Sequence, residues 1–248
     1  MLILALESSA KPVSVAVLEV YDDPFQSAKL LGQYFQNNGF SHSRTLMVLT
    51  ESLLNNLDIK LSDIDLIAVA NGPGSFTGVR IGVSAVKGLA WGAQIPVCGV
   101  SSLEAMVHQV ITQRTGHIEH NIIICPAMDA RRNQVYNALF EYRDNTLKRL
   151  CDDRAISIEE LADELNQYTN PRLIIGDGVD VCKKSGLIEN FESVPQLIQY
   201  QTAYGVALAS VNIDSISAVD LVPVYLRPSQ AERSATCSHS SISASNCS

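Results

Sequence analysis

Apolar positions along this chain recur with two different periods. Leu2 to Leu6 and Val13 to Val20 are strand-like apolar runs joined by the turn-rich segment Glu7-Ser8-Ser9-Ala10-Lys11-Pro12, which predicts a hairpin with a polar tip. Leu30 to Phe35 predicts a third strand. From His42 to Leu57 the spacing becomes helical, with Leu46, Leu49, Leu53 and Leu57 on one stripe and Ser41 as the N-cap. A buried strand over Ile64 to Ala70 leads into a glycine-rich turn and a helix ending at Trp91. Val97 to Val100 is a short strand, and Ser102 opens a helix to Val110. The rhythm then repeats. Ile122 to Ala127 and Gln134 to Tyr142 read as strands about the turn Arg131-Arg132-Asn133, and Ser157 caps a helix over Ile158 to Tyr168. Leu173 to Ile175 is a strand before Gly176-Asp177-Gly178, Ala203 to Val211 is helical, and Leu221 to Tyr225 is extended. Strands separated by helices, in two similar halves, predict an α/β protein of two lobes with a cleft between them.

Composition narrows the function. The 248 residues suffice for one large domain or two small lobes, and 46% hydrophobic with 18% charged residues fits a globular core. A net charge of -8 argues against a free-standing nucleic-acid binder, though not against a subunit of a machine whose other parts hold RNA. The six cysteines, at 98, 125, 151, 182, 237 and 247, form no C-x-x-C pair, which predicts reduced thiols in a cytoplasmic protein. The apolar start lacks a basic n-region and meets Glu7 at once, so it reads as a strand rather than a signal peptide. No apolar run approaches the ~20 residues that span a bilayer.

The densest candidate site is Asn71-Gly72-Pro73-Gly74-Ser75-Phe76-Thr77-Gly78-Val79-Arg80, a strand-to-helix turn. Its backbone can approach another group closely, and helix N–H groups face it, so an anion site and a structural turn are both open. It is not a P-loop, because Gly74 and Gly78 are too close and Val79-Arg80 stands where Lys and Ser/Thr belong. Gly72, Gly74 and Gly78 also carry one residue too many for a dinucleotide turn. Glu7-Ser8-Ser9 could hold a phosphate or hydrated metal, or could be a hydrogen-bonded turn. Asp129-Ala130-Arg131-Arg132 could orient an anion or form a salt-bridged hairpin tip, the favoured reading. Gly176-Asp177-Gly178 is a turn where α/β proteins often bind ligands. His108, His117 and His120 lack metal-site spacing and read as surface residues, and Cys237, His239 and Cys247 make a weak metal set. No nucleophile motif such as G-x-S-x-G occurs.

These residues also carry a family signature. Ile3-Leu-Ala-Leu-Glu-Ser-Ser, Gly72-Pro-Gly-Ser-Phe-Thr-Gly-Val-Arg-Ile-Gly, Lys87-Gly-Leu-Ala, Met128-Asp-Ala-Arg-Arg-Asn-Gln-Val-Tyr and Val222-Pro-Val-Tyr-Leu-Arg-Pro together resemble the TsaB (YeaZ) family over residues 1 to about 228. The resemblance implies the actin-like ATPase fold of sugar kinases and Hsp70, two related lobes with mixed sheets flanked by helices. It implies a first lobe over 1–103, a second over 104–212, a segment 213–229 returning toward the first lobe, and, from composition, a Ser-rich disordered tail over 230–248.

It further implies a role in making threonylcarbamoyladenosine at position 37 of ANN-decoding tRNAs, as a non-catalytic scaffold paired with the paralogue TsaD, with TsaE as a third subunit. Binding to tRNA then runs only through the complex, the chain needs no cofactor of its own, and it homodimerises when its partner is absent. TsaD carries a metal-binding His-x-x-x-His pair, and Ser102 and Met106 occupy the matching positions here. A hydroxyl and a thioether are poor ligands for such a metal, so no metal is expected. The turn residues Glu7, Ser8, Ser9, Gly72, Pro73, Gly74, Ser75, Thr77 and Gly78 are then a vestige kept for the fold. The functional surface becomes the partner face of two helices, with Ser43, Arg44, Met47, Thr50, Glu51 and Leu54 on one and Val79, Arg80, Val83, Lys87 and Trp91 on the other. The alternative is an enzyme of the same superfamily, a nucleotide-dependent transferase or a metallopeptidase-like protein.

Overall fold

A computed structural model describes residues 1–21, 28–39, 42–113 and 121–227. The expected Ser41 cap, His117, His120 and the Ser-rich tail with Cys237, His239 and Cys247 lie outside the described residues.

The first half folds as β1 (Leu2–Glu7), β2 (Val13–Val20), β3 (Ala28–Gln36), α1 (His42–Asn56), β4 (Leu66–Gly72), α2 (Phe76–Ala93), β5 (Val97–Ser101) and α3 (Ser102–Gln113). The second half contributes β6 (Ile122–Arg131), β7 (Gln134–Asn137), β8 (Phe140–Arg143), β9 (Thr146–Arg149), β10 (Arg154–Ser157), α4 (Ile158–Leu165), β11 (Arg172–Ile175), α5 (Val179–Ser185), β12 (Glu192–Ser193), α6 (Gln196–Gln199) and α7 (Ala203–Ser210). One sheet runs β3-β2-β1-β4-β5, antiparallel through β1 and β2 and parallel from β1 to β5. The other runs β10-β7-β6-β11-β12, with β8 and β9 added beside the first half of β6. The expected α/β architecture of two mixed sheets flanked by helices is therefore present.

Strand alternation sorts the apolar side chains into layers. Leu4, Leu6, Val15, Val17, Ile67 and Val69 face Leu46 and Leu53 of α1 and Val79, Val83 and Val86 of α2. Their neighbours Ile3, Ala5, Ala16, Leu18 and Ala68 face α7 through Ala203, Val206, Ala207, Leu208 and Ala209. On the second sheet, Ile122, Ile124, Met128, Phe140 and Leu173 pack on Leu103, Met106, Val107 and Val110 of α3, while Ile123, Cys125, Val135 and Ile174 pack on α4 and α5. The order is thus α1/α2, first sheet, α3/α7, second sheet, α4/α5, with α3 and α7 as a shared middle layer.

That order changes the expected division of the chain. The boundary between 103 and 104 falls inside α3, and α7, assigned to the second lobe, closes the open face of the first sheet. Residues beyond α7 run back along the first lobe. Ile216 and Val97 exchange backbone hydrogen bonds at 2.8 and 3.0 Å, the Val224 amide donates to the Asn71 carbonyl at 2.7 Å, and Leu221 is buried. Among the described residues, no helix is long and apolar enough to cross a membrane.

Candidate functional site

The glycine turn is an N-terminal cap closed by the chain's own backbone. Ser75 caps α2 by accepting the Gly78 amide at 3.3 Å, and its own amide donates to the Ser9 carbonyl at 2.6 Å. Ser8 Oγ donates to the Gly78 carbonyl at 2.9 Å. A Cβ on Gly74 would fall onto the Ser9 carbonyl oxygen, one on Gly78 onto that of Ser8, and one on Gly72 onto that of Val224. The glycines are needed because the β1–β2 hairpin and the C-terminal segment come this close. Gly72 and Pro73, joined by a cis peptide, are buried, and Thr77 is exposed. The backbone freedom that admits phosphates in other folds here admits Ser8, Ser9 and Val224.

Glu7 sits at the end of β1, fully buried beside this turn. Its Oε1 accepts the Ser9 amide, and its Oε2 has no hydrogen-bond partner among the described residues; nor do the buried hydroxyls of Ser9 and Ser102. Burial pushes the Glu7 carboxyl from 4.5 up to about 7, against hydrogen bonds from Ser9 that favour the charged form. Ser102 and Met106 lie in the shared α3 layer. Met106 is 1% exposed, and its Sδ lies 3.2 Å from where a Cβ on Gly176 would stand. A packed thioether and a buried hydroxyl do not fit a divalent metal, and among the described residues no three His, Cys, Asp or Glu groups converge as a metal site.

The second turn is closed in the same manner. Cβ atoms on Gly176 and Gly178 would both meet the Ala127 carbonyl, and Gln199 Nε2 donates to the Gly176 carbonyl at 2.9 Å. Asp177 Oδ1 accepts the Asp129 amide at 3.1 Å, and burial raises its carboxyl. His108 is not the expected surface residue. It is buried on α3 with Nε2 3.8 Å from Glu104 Oε1. Glu104 also binds Arg149 Nη2 at 2.6 Å, Arg149 Nη1 binds Asp153 Oδ1 at 2.7 Å, and Ser101 Oγ donates to Asp153 Oδ2. This network joins the end of β5 and the start of α3 to β9 and the segment after it. The favoured salt bridge at the β6–β7 tip is absent, since Arg131 and Arg132 form no ion pair among the described residues.

The expected partner surface divides into two sets. Ser43, Arg44, Met47 and Glu51 on α1 are exposed, as is Val48 beside them, and Trp91 on α2 is 73% exposed. Thr50, Leu54, Val79 and Val83 instead belong to the interior. Thr50 donates to the Leu46 carbonyl at 2.9 Å, and the other three join the core between α1, α2 and the first sheet. Helical periodicity marks a stripe but cannot tell which of two apolar stripes faces the sheet. Arg80 and Lys87 hold the C-terminal segment. Arg80 Nε donates to Tyr225 Oη at 2.7 Å, its guanidinium lies 3.8 Å from the Phe76 ring centre, and Phe76 stacks on Tyr225 at 4.5 Å. Lys87 Nζ donates to the Val219 and Leu221 carbonyls, both at 3.0 Å. Asn71 and Phe76 lie within the glycine motif and Leu221 to Tyr225 reads as extended, but nothing in the sequence pairs the two segments, and their clasp was missed.

Comparison with known proteins agrees with this architecture. Residues 38–206 match the family described as TsaD: tRNA N6-adenosine threonylcarbamoyltransferase. The chain is 31% identical over 237 residues to the tRNA threonylcarbamoyladenosine biosynthesis protein TsaB of Bacillus subtilis (strain 168), covering 94% of this chain and 96% of that protein. It is 31% identical over 193 residues to TsaB of Escherichia coli (strain K12), covering 76% of this chain and 78% of that one. The solved structure of YeaZ from Pseudomonas aeruginosa superposes with a TM-score of 0.74 at 23% identity, covering 91% of this chain and 99% of that chain, and so shares the fold.

Proposed function

Because the chain belongs to the TsaB (YeaZ) family and so has a role in tRNA threonylcarbamoyladenosine biosynthesis, we propose that it works there as a non-catalytic scaffold that pairs with TsaD and, with TsaE, supports threonylcarbamoyl transfer to adenosine 37 of ANN-decoding tRNAs. The observation that carries this reading is the closed turn. Ser8, Ser9 and Val224 occupy the space around Gly72, Gly74 and Gly78 that a phosphate would need, and Met106 is packed where a paired imidazole would be required. The chain then needs no nucleotide or metal of its own.

The outer faces of α1 and α2 supply the partner surface. Both helices lie on one face of the first sheet, and Met47 (40%), Val48 (57%) and Trp91 (73%) expose apolar area there. Gly88 and Gly92 have nothing within 4 Å of where a Cβ would stand, so another helix backbone can approach α2 closely. A large exposed aromatic beside a flexible thioether is the composition of an interface anchor. The same face serves a second copy of the chain when TsaD is absent, since exposed apolar patches favour burial.

An omission assay tests the role. TsaD, TsaE, a threonylcarbamoyl-adenylate source, ATP and tRNA are combined with and without this chain, and the modified base is quantified by mass spectrometry. Modification requires the chain, while the chain alone neither modifies tRNA nor turns over ATP. Trp91→Ala leaves the chain's own unfolding midpoint within error and weakens TsaD binding by ~30-fold, as expected for a central aromatic anchor. Modification at the same rate without the chain overturns the scaffold role.

A further inference from the structure

We propose that the tip of the β6–β7 hairpin, Arg131 and Arg132, is a contact for the phosphate backbone of RNA. The inference rests on the role in tRNA modification and adds a surface to it.

The tip is built to a fixed shape. Arg131, Arg132 and Asn133 are consecutive residues at positive φ, 63°, 57° and 54°, a conformation that side chains other than glycine disfavour. The register shifts between Asp129 and Arg131, so a bulge at Ala130 re-aims the two arginines. Four hydrogen bonds hold the backbone there. Asp129 Oδ1 accepts the Arg131 amide at 2.7 Å, and the Asp129 amide donates to Asp177 at 3.1 Å. The Ile158 amide at the start of α4 donates to the Asn133 carbonyl at 3.0 Å. Arg227 Nη1 donates to the Ala130 carbonyl at 2.8 Å, which brings a third guanidinium to the base of the tip.

The two side chains at the tip have no such anchor. The Arg131 and Arg132 guanidiniums are exposed and form no side-chain hydrogen bond or ion pair among the described residues. Five other arginines are committed internally: Arg80 to Tyr225, Arg149 to Glu104 and Asp153, Arg154 to Glu164, Arg172 to the Leu165 carbonyl, Arg227 to Ala130; Arg44 on α1 is exposed like the tip pair but stands alone. Two free guanidiniums on a rigid, unusually shaped backbone are suited to oxyanions, which they bind through paired N–H donors.

A chain of phosphates fits better than a mononucleotide. The tip is an exposed hairpin end, and the two glycine turns that could have enclosed a small ligand are filled by backbone carbonyls. The protein carries a net charge of -8, so most of its surface repels RNA and a local pair of arginines sets where a strand can touch. Asp129 is the carboxylate within the tip, with one oxygen bound to the Arg131 amide, and Asp177 at its base is bound to the Asp129 amide.

The test uses the assembled complex with TsaD and TsaE. The double variant Arg131→Asn, Arg132→Asn removes both charges with a residue that tolerates positive φ, so the hairpin keeps its conformation. Binding of tRNA is followed by fluorescence anisotropy across a salt series, and association with TsaD and TsaE by size-exclusion chromatography. The variant is expected to bind tRNA roughly tenfold more weakly at ~0.1 M salt, with the slope of log K against log salt shallower by about 1 to 2. Assembly is expected to be unchanged, and Arg131→Lys with Arg132→Lys to recover most of the affinity. An unchanged affinity and salt slope overturns the proposal. Loss of TsaD or TsaE association with tRNA affinity intact also overturns it, by assigning the tip to an acidic protein surface. A wild-type complex that modifies tRNA no faster than TsaD and TsaE alone instead removes the scaffold reading, and the two failures are distinct.

Discussion

Exchanging Glu7 for glutamine should make the protein more stable, increasingly so as the pH rises. The carboxyl is fully buried, one oxygen has no partner, and its pKa moves from 4.5 to about 7 on folding. Between those values the native protein holds a proton that the unfolded chain has released. The contribution of Glu7 to wild-type stability is therefore fullest below pH 4.5, declines as the pH rises, and levels off above about 7. At 1.36 kcal/mol per pH unit the accumulated loss reaches about 3 kcal/mol by pH 8 and about 1 kcal/mol at pH 5. Glutamine has the shape of the protonated acid, keeps an oxygen for the Ser9 amide and carries no charge. Urea unfolding of both proteins from pH 5 to 8 should show E7Q pulling ahead by about 2 kcal/mol across the range. Parallel curves, with a constant gap between the two proteins, would refute the buried-proton reasoning.

Two further outcomes rest on the site geometry. Gly78→Ala drives a methyl onto the Ser8 carbonyl, which backbone on both sides prevents from moving away, so urea unfolding should show a loss of about 2–3 kcal/mol. Glu104 is held down to about 2 by the neighbouring His108 imidazole and by Arg149, so it stabilises the fold above pH 4.5 and ceases to do so as the pH falls toward 2. Glu104→Gln should flatten that acid limb in a thermal-melt series while leaving the dependence above pH 7 as in wild type.

The strongly periodic elements were legible from residues alone. The β1–β2 hairpin and the helix at His42 came from their apolar spacing, and the glycine turn from three glycines and a proline. The segment Gln134 to Tyr142 reads as one strand because it holds no Gly or Pro, yet it divides at Ala138-Leu139. Its two parts pair with opposite halves of β6, around Pro126, and Leu139 instead bonds to Cys151 and Leu150. β9, β10 and α5 were missed because four polar-rich residues or seven after a glycine carry too little periodicity. At the site, the motif located the turn but not its filling. Whether Gly74 faces a phosphate or Ser9 depends on where a distant hairpin lands, and local sequence does not encode that. The same limit misplaced Val79 and Val83, whose helix has apolar residues on more than one side.

The position of α7 has a consequence for how the chain is made. The first sheet acquires α1 and α2 early, but the helix that covers its other face is encoded at Ala203–Ser210, and the segment that clasps Asn71, Arg80 and Lys87 comes later still. A ribosome that has released only the first hundred residues presents a sheet with one apolar side, including Ile3, Ala5, Ala16 and Leu18, open to water. The amino-terminal half therefore cannot mature as a unit ahead of the rest, unlike the usual domain-by-domain order. Native topology is reached only through contacts between the two ends of the polypeptide, which slows folding and ties both sheets into one cooperative transition. Truncation before Ala203 should leave an aggregation-prone fragment rather than a working lobe.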